Sequence, residues 1–160
     1  MARIDIITSP MRKTLFTIKI CLCLAICLST AAKVAAQGTK TNDKIHFIED
    51  AWSEALKQAA AQNKYIFVDA YASWCGPCKM LKNTTFKDAK VATFYNKNFV
   101  NISIDMEKGV GPKLAAEWQM QAYPTLIIFN PQGKPVLGTV GYIKATDLLK
   151  FGQDALAKKM

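Results

Sequence analysis

The sequence predicts a single α/β domain built on a mixed β-sheet that is covered on both faces. Segments with helical periodicity alternate with short apolar segments along the chain. One apolar segment, residues 65–70, is almost uninterrupted and rich in β-branched and aromatic residues, which is typical of a strand buried on both faces. Near the end of the chain, the turn-forming residues 130–133 separate two strand-like segments, so the second strand is expected to return beside the first.

The elements of the first half follow from the spacing of apolar side chains. Residues 49–62 place their apolar residues at helical spacing, and Asn63-Lys64 ends this helix. The strand at 65–70 comes next. After a cysteine motif, residues 79–86 suit a helix, and residues 88–95 either continue it or begin another.

The second half continues the alternation. Residues 99–104 are predicted to form a second central strand, residues 110–118 a helix, and residues 125–129 and 135–140 the last two strands. Residues 145–158 close the chain as a helix. The apolar side chains that we expect in the core include Met80, Met120, Trp118, Leu148, Leu149 and Leu156.

The N-terminal segment has the pattern of a secretory signal peptide. Arg12 and Lys13 form a basic start, residues 20–28 are nine uninterrupted apolar residues, and Val34-Ala35-Ala36 offers small residues for cleavage. Nine apolar residues are too few to span a bilayer, which takes about 20. We therefore expect export, with cleavage after Ala36 or, alternatively, after Ala32.

This pattern divides the chain into three parts. Residues 1–36 are predicted to be the signal peptide, with Met11 as an alternative start, residues 37–44 a flexible lead-in, and residues 45–160 one domain of ordinary size. The protein is then expected to be periplasmic or otherwise exported. If the signal is retained instead, the protein is anchored to a membrane.

The charge distribution argues against a nucleic-acid partner. Without residues 1–36, the chain has 16 Lys and Arg against 11 Asp and Glu, which gives a net charge of +5 instead of +9. The lysines of this part are scattered, with no basic run longer than Lys158-Lys159. We interpret them as a solvated basic surface.

The motif Trp74-Cys75-Gly76-Pro77-Cys78-Lys79 lies between a predicted strand and a predicted helix. Two cysteines with two residues between them can close a small disulfide ring, which is the arrangement of a reversible redox switch. The other three cysteines, Cys21, Cys23 and Cys27, lie in the predicted signal peptide. A structural disulfide is one alternative, although so small a ring gains little loop entropy. A zinc site is another, although it takes four ligands and His46 is the single histidine.

Further residues, before and after this motif in the sequence, accompany it in a defined order. They are Val68-Asp69 before the cysteines, Asp105 after the second central strand, Tyr123-Pro124-Thr125 before the third strand, and Gly133 in the turn between the last two. With these features the chain resembles the thioredoxin superfamily over residues 45–157. The resemblance implies the thioredoxin fold, in which helices flank a central mixed β-sheet on both faces.

Within the superfamily, residues 85–91 and the helix that contains Trp52 resemble exported domains similar to the C-terminal module of the membrane thiol-disulfide interchange reductase. Two residues depart from the thioredoxin pattern. Asn101 stands where thioredoxin has a lysine near its buried aspartate, which would remove one source of charge stabilisation. Tyr123 stands where thioredoxin has isoleucine and resembles protein disulfide isomerase domains. Both departures leave the direction of electron flow open.

The place of the motif between a strand and a helix predicts a role for each reactive residue. Cys75 is expected at the helix N-terminus, where free N–H groups and the helix dipole lower the thiol pKa below about 8.5. Cys75 is then the nucleophile toward a substrate disulfide, and Cys78, expected to be more buried, resolves the mixed disulfide. Asp69 is the expected proton acceptor for Cys78, because burial raises the pKa of a carboxyl group. The alternative is an exposed aspartate at a strand end or turn.

The expected substrate-docking surface consists of Trp74, Gly76, Pro77, Tyr123 and Pro124. Pro124 resembles the superfamily's cis-proline, which lies opposite the cysteines and exposes the preceding backbone for pairing with substrate. An ordinary trans-proline that enters a strand is the alternative. Trp74 is expected to cover the thiol pair.

These residues predict an exported thiol-disulfide oxidoreductase, and the Gly76-Pro77 dipeptide, which matches thioredoxin, favours a reductase. We expect no cofactor besides the redox-active disulfide Cys75–Cys78, and no metal. The expected partners are protein disulfides and an upstream thiol protein, either soluble or membrane-bound, that donates electrons to a monomer. A disulfide oxidase or isomerase, a thioredoxin-fold binding or chaperone module, and a role in haem-protein maturation are the alternatives.

Overall fold

The computed structural model of the chain describes residues 43–158. The predicted signal peptide, most of the predicted lead-in, and the cysteines Cys21, Cys23 and Cys27 lie outside these residues. Within residues 43–158, no helix has both the length and the apolar character needed to cross a bilayer.

The described residues form five strands, five α-helices and one short 3-10 helix. In chain order they are β1 (Ile48–Glu49), α1 (Trp52–Gln62), β2 (Tyr65–Tyr71), α2 (Gly76–Asn83), the 3-10 helix Thr85–Lys87, α3 (Ala89–Asn98), β3 (Phe99–Asp105), α4 (Gly111–Glu117), β4 (Thr125–Phe129), β5 (Pro135–Val140) and α5 (Ala145–Ala157).

The five strands form one mixed sheet in the order β1-β3-β2-β4-β5. β1 and β2 pair with β3 in parallel, whereas β4 runs antiparallel to both β2 and β5. Helices α1 and α4 pack on one face against a cluster that includes Ile66 and Val68. Helices α2, α3 and α5 pack on the other face against a cluster that includes Phe67 and Tyr95. The predicted mixed sheet, covered by helices on both faces, is confirmed.

The centre of this sheet brings three chain segments to one end. β2 and β3 are parallel and finish together, with Tyr71 in register with Asp105. β4 is antiparallel and begins at the same end, with Thr125 in register with Ala70. The loop after β2, the loop after β3 and the segment before β4 therefore meet there.

Some boundaries differ from the prediction. β1 is not predicted because it is only two residues long and depends on pairing with the distant β3. The helix predicted at 49–62 begins at Trp52, since Asp50 takes a left-handed conformation with φ 54°. Residues 89–98 form a separate helix, because the Asp88 carboxylate caps it by accepting hydrogen bonds from the backbone N–H groups of Lys90 and Val91.

Two apolar side chains expected in the core are exposed. Met80 is 50% exposed, since α2 turns Cys78 and Leu81 toward the sheet and Met80 away from it. Leu156 is 38% exposed, whereas its neighbour Ala155 is buried. The other expected core residues behave as predicted: Leu148 is fully buried, and Leu149, Trp118 and Met120 pack partly buried against the core.

Candidate active site

A disulfide bond joins Cys75 and Cys78 at the start of α2, with 5.3 Å between their Cα atoms. Cys75 is the N-cap residue of this helix, and its Sγ accepts a hydrogen bond of 3.2 Å from the backbone N–H of Cys78. Pro77 lies in the first turn, where a missing N–H removes no helical hydrogen bond. The expected place of Cys75 at a helix N-terminus is confirmed.

Both cysteines are equally buried, each 2% exposed. The expectation that Cys78 is the more buried of the two is therefore wrong. The reason is the packing of the whole pair, since Cys75 and Cys78 form one small cluster with Ala72, against which Tyr71 and Tyr123 pack.

Asp69 lies in the middle of the sheet and is completely buried. Its Oδ2 accepts a hydrogen bond of 2.9 Å from the hydroxyl of Ser103 on β3. Its Oδ1 has no hydrogen-bond partner among residues 43–158. Burial raises the pKa of Asp69 from 3.8 to about 6, and the positive charge of Lys82 is the largest opposing influence. The exposed strand-end alternative for Asp69 is wrong, and a carboxyl group with this pKa can exchange a proton near neutral pH.

The positive charge beside Asp69 comes from α2 and not from β3. Lys82 Nζ lies 4.0 Å from Asp69 Oδ2 and 3.3 Å from the centre of the Tyr71 ring. Asn101 donates hydrogen bonds to the carbonyl of His46 and to Asn96 Oδ1. Asn101 thus places no cation beside Asp69, as expected, whereas Lys82 supplies a positive charge from another element.

Trp74 lies beside Cys75 on the surface, 67% exposed. Its indole N–H donates a hydrogen bond of 2.8 Å to Glu107 Oε2, and its ring meets the Tyr123 ring edge to face at 6.2 Å. The role of Trp74 as a cover for the thiol pair stays a prediction. Glu107 is not among the site residues predicted from the sequence, and the structure makes it the partner of the indole.

The loop after β3 brings Glu107 to this position. The Asp105 carboxylate is buried, accepts a hydrogen bond from the backbone N–H of Glu107 and pairs with Lys108 Nζ at 2.9 Å. These bonds turn the chain immediately after the strand. Asp105 thus caps the end of β3.

The segment before β4 completes the site. The peptide bond between Tyr123 and Pro124 is cis, as the resemblance implies, so the trans alternative is wrong. Burial and the negative charge of Glu107 raise the pKa of Tyr123, which keeps its hydroxyl neutral. Gly76 is exposed, and a Cβ on it would meet no atom within 4 Å, so the backbone beside the disulfide is open to an approaching chain.

The cysteines, Trp74 and Tyr123 thus lie together at one end of the sheet, and Asp69 is buried in the strand that leads to it. Their catalytic and docking roles stay predictions. Within residues 43–158, no group of three or more His, Cys, Asp or Glu side chains is arranged to hold a metal ion. The chemistry that this arrangement offers is exchange at sulfur, with Asp69 available for proton transfer.

Known proteins share this arrangement. Residues 52–156 match the family model described as a thioredoxin-like domain. A thioredoxin-like protein of Synechocystis is 30% identical over 103 residues, which cover 64% of this chain and 92% of that protein. The thiol:disulfide interchange protein DsbD of Pseudoalteromonas atlantica is 32% identical over 111 residues, which cover 67% of this chain but only 19% of DsbD.

Solved structures agree with this match. A candidate disulphide-isomerase from Bacteroides thetaiotaomicron has a TM-score of 0.65 and 42% sequence identity, and the match covers 74% of this chain and 98% of that one. A thioredoxin from Thermus thermophilus shares the fold, with a TM-score of 0.64, 21% identity and coverage of 70% and 88%. Because the family match extends from the first residue of α1 almost to the end of α5 and includes the disulfide, the chain belongs to the thioredoxin-like family of thiol-disulfide oxidoreductases.

Proposed function

We propose that this protein is an exported oxidoreductase that reduces disulfide bonds in other proteins. The observation that carries the proposal is the Cys75–Cys78 disulfide at the start of α2. A disulfide at a helix N-terminus is readily reversible there, because the helix dipole and free N–H groups favour the thiolate of the first cysteine. Asp69, in the strand that leads to this helix, supplies a proton acceptor.

The reduced pair reacts in two exchanges. In the first, the Cys75 thiolate attacks a substrate disulfide, a Cys75–substrate S–S bond forms, and the other substrate sulfur leaves as a thiolate. In the second, Cys78 gives its proton to Asp69, and the Cys78 thiolate attacks Cys75 Sγ. The Cys75–Cys78 bond forms as the Cys75–substrate bond breaks, and the second substrate sulfur leaves as a thiolate. Two electrons pass to the substrate, and an upstream thiol protein returns them to the pair.

Substrate docks on the surface beside the disulfide. The backbone before Pro124 pairs with an extended substrate segment, and the adjoining rings of Trp74 and Tyr123 offer aromatic surface beside it. Gly76 and Pro77 leave the backbone close to Cys75 uncovered. A protein substrate with a disulfide in an extended and accessible segment fits this surface.

Export and the reductive direction rest on sequence patterns. The signal-like pattern of residues 1–36 supports export, and the Gly76-Pro77 pair supports reduction. The similarity to DsbD is consistent with an electron donor that is itself a thiol protein. Export is tested by cell fractionation and N-terminal sequencing of the secreted form. An N-terminus at Gln37 or Lys33 is expected, and an uncleaved cytoplasmic form contradicts export.

The reductive direction is tested by the redox potential of the Cys75/Cys78 pair in glutathione buffers, together with reduction of insulin. We expect a potential nearer the about −270 mV of thioredoxin than the about −120 mV of DsbA. We also expect insulin to precipitate as its chains separate. A strongly oxidising pair that leaves insulin intact contradicts the proposal.

The order of the two exchanges is tested by trapping. The Cys78→Ser variant cannot resolve the mixed disulfide, so substrates should accumulate on Cys75 and be identified by mass spectrometry. The Cys75→Ser, Cys78→Ser double variant is the control and should trap none. If Cys78→Ser also traps none, Cys75 is not the nucleophile.

A disulfide isomerase is the second candidate, because the candidate disulphide-isomerase from Bacteroides thetaiotaomicron is 42% identical to this chain. Reactivation of ribonuclease with scrambled disulfides separates the two functions. A reductase of low potential reduces the scrambled protein without restoring its activity, whereas an isomerase restores the activity.

A further inference from the structure

The cation beside the buried carboxylate belongs to the same helix as the cysteines. Lys82 lies four residues after Cys78 on α2, so the two side chains occupy the same face of the helix. That face lies on the sheet, because Cys78 and Leu81 are its buried residues and Lys82 Nζ reaches to 4.0 Å from Asp69 Oδ2. Cys78 and Lys82 therefore lie on the helix face that packs against the sheet, and Lys82 reaches Asp69 from that face.

Two contacts set the position of the Lys82 ammonium group. The Tyr71 ring lies 3.3 Å from Nζ, at the distance of a cation–π interaction. Burial and nearby carboxylates raise the pKa of Tyr71 to about 12, so this ring stays neutral over the physiological range. The Asp69 carboxylate attracts the ammonium group from the other side. Because Ser103 occupies Oδ2 and Oδ1 has no hydrogen-bond partner within residues 43–158, Oδ1 is free to take a proton.

A surface pocket of about 410 Å³ lies on the solvent side of Lys82. Lys82 and Glu49 both line it, and these two side chains are the ones whose charges act on Asp69. Glu49 is in register with Ser103, which is in register with Asp69, so the three form a polar row across β1, β3 and β2. The neighbour of Asp69 on β4 is the apolar Leu126. Lys82 and Glu49 therefore oppose each other: Lys82 favours an ionised Asp69, and Glu49 favours a protonated one.

We propose that Lys82 is a positioning residue for the exchange reaction: its ammonium group, held over the Tyr71 ring, keeps Asp69 ionised so that Oδ1 can accept the proton of the Cys78 thiol. This inference rests on the proposed function. In the resolving step the Cys78 proton moves to Asp69 Oδ1, the Cys78–Cys75 bond forms, and the Cys75–substrate bond breaks with its electron pair on the substrate sulfur. Asp69 releases the proton to solvent before the next cycle.

Lys82 provides near Asp69 the positive charge that Asn101 on β3 does not. A carboxyl group as buried as Asp69 stays protonated at neutral pH unless a positive charge opposes the effect of burial. A protonated Asp69 cannot accept a proton from Cys78. Lys82 supplies the opposing charge from the helix that carries Cys78.

The test compares the pH dependence of the resolving step in four proteins expressed from the full chain. They are the wild type, Lys82→Met, Lys82→Arg and the control Lys87→Met, which removes an equal charge from the same pocket. For Lys82→Met we expect the midpoint of the pH profile to rise by about one pH unit, with a rate about fivefold lower at pH 6 and nearly normal at pH 8. Lys82→Arg and Lys87→Met should keep the wild-type midpoint.

Glu49→Gln should shift the midpoint of the pH profile in the opposite direction. Removing this negative charge should move the midpoint of the profile to lower pH, by less than Lys82→Met moves it upward, because Glu49 has the weaker influence on Asp69. Midpoints that move in opposite directions for the two variants support the proposal. A Lys82→Met rate that is equally low at every pH, including pH 8, indicates structural damage and overturns it.

Titration of the Asp69 carboxyl carbon by NMR in the disulfide form requires no activity. We expect Lys82→Met to raise the midpoint of this titration and Lys87→Met to leave it unchanged. An unchanged Asp69 titration in Lys82→Met overturns the proposal, and so does a changed titration with an unchanged rate profile. A wild-type protein that reduces nothing at any pH overturns the proposed function, while the titration still decides whether Lys82 controls the ionisation of Asp69.

Discussion

The two faces of β2 are equally buried but differ in chemistry. Ile66, Val68 and Ala70 point to the side of α1 and α4, whereas Phe67 and Asp69 point to the side of α2, α3 and α5, and all five are completely buried. The first face is wholly apolar along this strand. The second holds a carboxyl group, one oxygen of which has no hydrogen-bond partner within the described residues 43–158. The comparison teaches that the first face serves stability, while the second gives up some stability to bury a carboxyl group, which the proposed function uses as a proton acceptor.

The largest expected effect is on the apolar face. Ile102 on β3 is in register with Val68 and completely buried, so Ile102→Ala leaves a cavity in the core. We expect the free energy of unfolding to fall by about 4 kcal/mol. Urea unfolding of the disulfide form at pH 4 and pH 7 measures it, and the loss should be the same at both values. A loss below about 1 kcal/mol would mean that this face is not the main source of stability.

The next largest effect is a gain in stability, and it is expected at Asp69, on the face covered by α2, α3 and α5. The pKa of Asp69 is raised to about 6 in the folded protein. The contribution of Asp69 to the free energy of unfolding is therefore fully present below pH 3.8 and is lost as the pH rises to about 6. The loss amounts to about 3 kcal/mol. Asp69→Asn should therefore be more stable than the wild type at pH 7 by about this amount, and equal to it at pH 4, while it resolves mixed disulfides more slowly. Equal or lower stability of Asp69→Asn at pH 7 contradicts the argument.

A smaller effect is expected at the hydrogen bond on Oδ2. Ser103→Ala removes the donor to the buried carboxylate, which should raise the pKa of Asp69 further and cost about 2 kcal/mol at pH 7. At pH 4, where Asp69 is protonated, the cost should be smaller. Ser53→Ala, a change at an exposed serine of α1, is the control and should alter stability little at either pH. If the cost of Ser103→Ala does not depend on pH, the Ser103 hydroxyl does not stabilise the ionised form of Asp69.

The smallest effect on stability is expected where neither face is involved. Trp74 is mostly exposed at the end of the sheet, so Trp74→Ala should change the free energy of unfolding by no more than about 0.5 kcal/mol. The rate of insulin reduction should nevertheless fall, with Glu107→Gln showing a weaker decrease because the amide oxygen can still accept from the indole. An unchanged rate of insulin reduction in both variants would show that Trp74 is not part of the substrate-docking surface.

Local patterns were sufficient for the features that depend on neighbours in the chain. The apolar run around Asp69 indicates a buried strand, and the Cys75–Cys78 spacing between a predicted strand and a predicted helix indicates a disulfide at a helix start. Both need only the chemistry of a few consecutive residues. The order of the central elements follows for the same reason. The cis bond before Pro124 is implied by the resemblance to the thioredoxin superfamily and not by local chemistry.

Features that depend on how distant elements pack could not be predicted in this way. Lys82 reaches Asp69 because of how α2 is rotated over the sheet, and that rotation also turns Met80 outward. Glu107 meets Trp74 because the loop after β3 ends beside the loop after β2. β1 exists only as a partner of β3. In each case the contact joins residues that are far apart in the sequence, or it depends on the rotation of a helix about its axis, which local sequence patterns do not specify.

The exposed indole of Trp74 also gives the protein an optical signal of its own. The chain has three tryptophans, and the other two, Trp52 and Trp118, pack edge to face at 5.1 Å on the side of α1 and α4. Trp74 alone of the three adjoins the disulfide in sequence, and a disulfide quenches the fluorescence of a nearby indole. Emission should therefore rise when the Cys75–Cys78 bond is reduced, and the rise should be lost in Trp74→Phe. The time course of electron transfer can then be followed in the unlabelled protein.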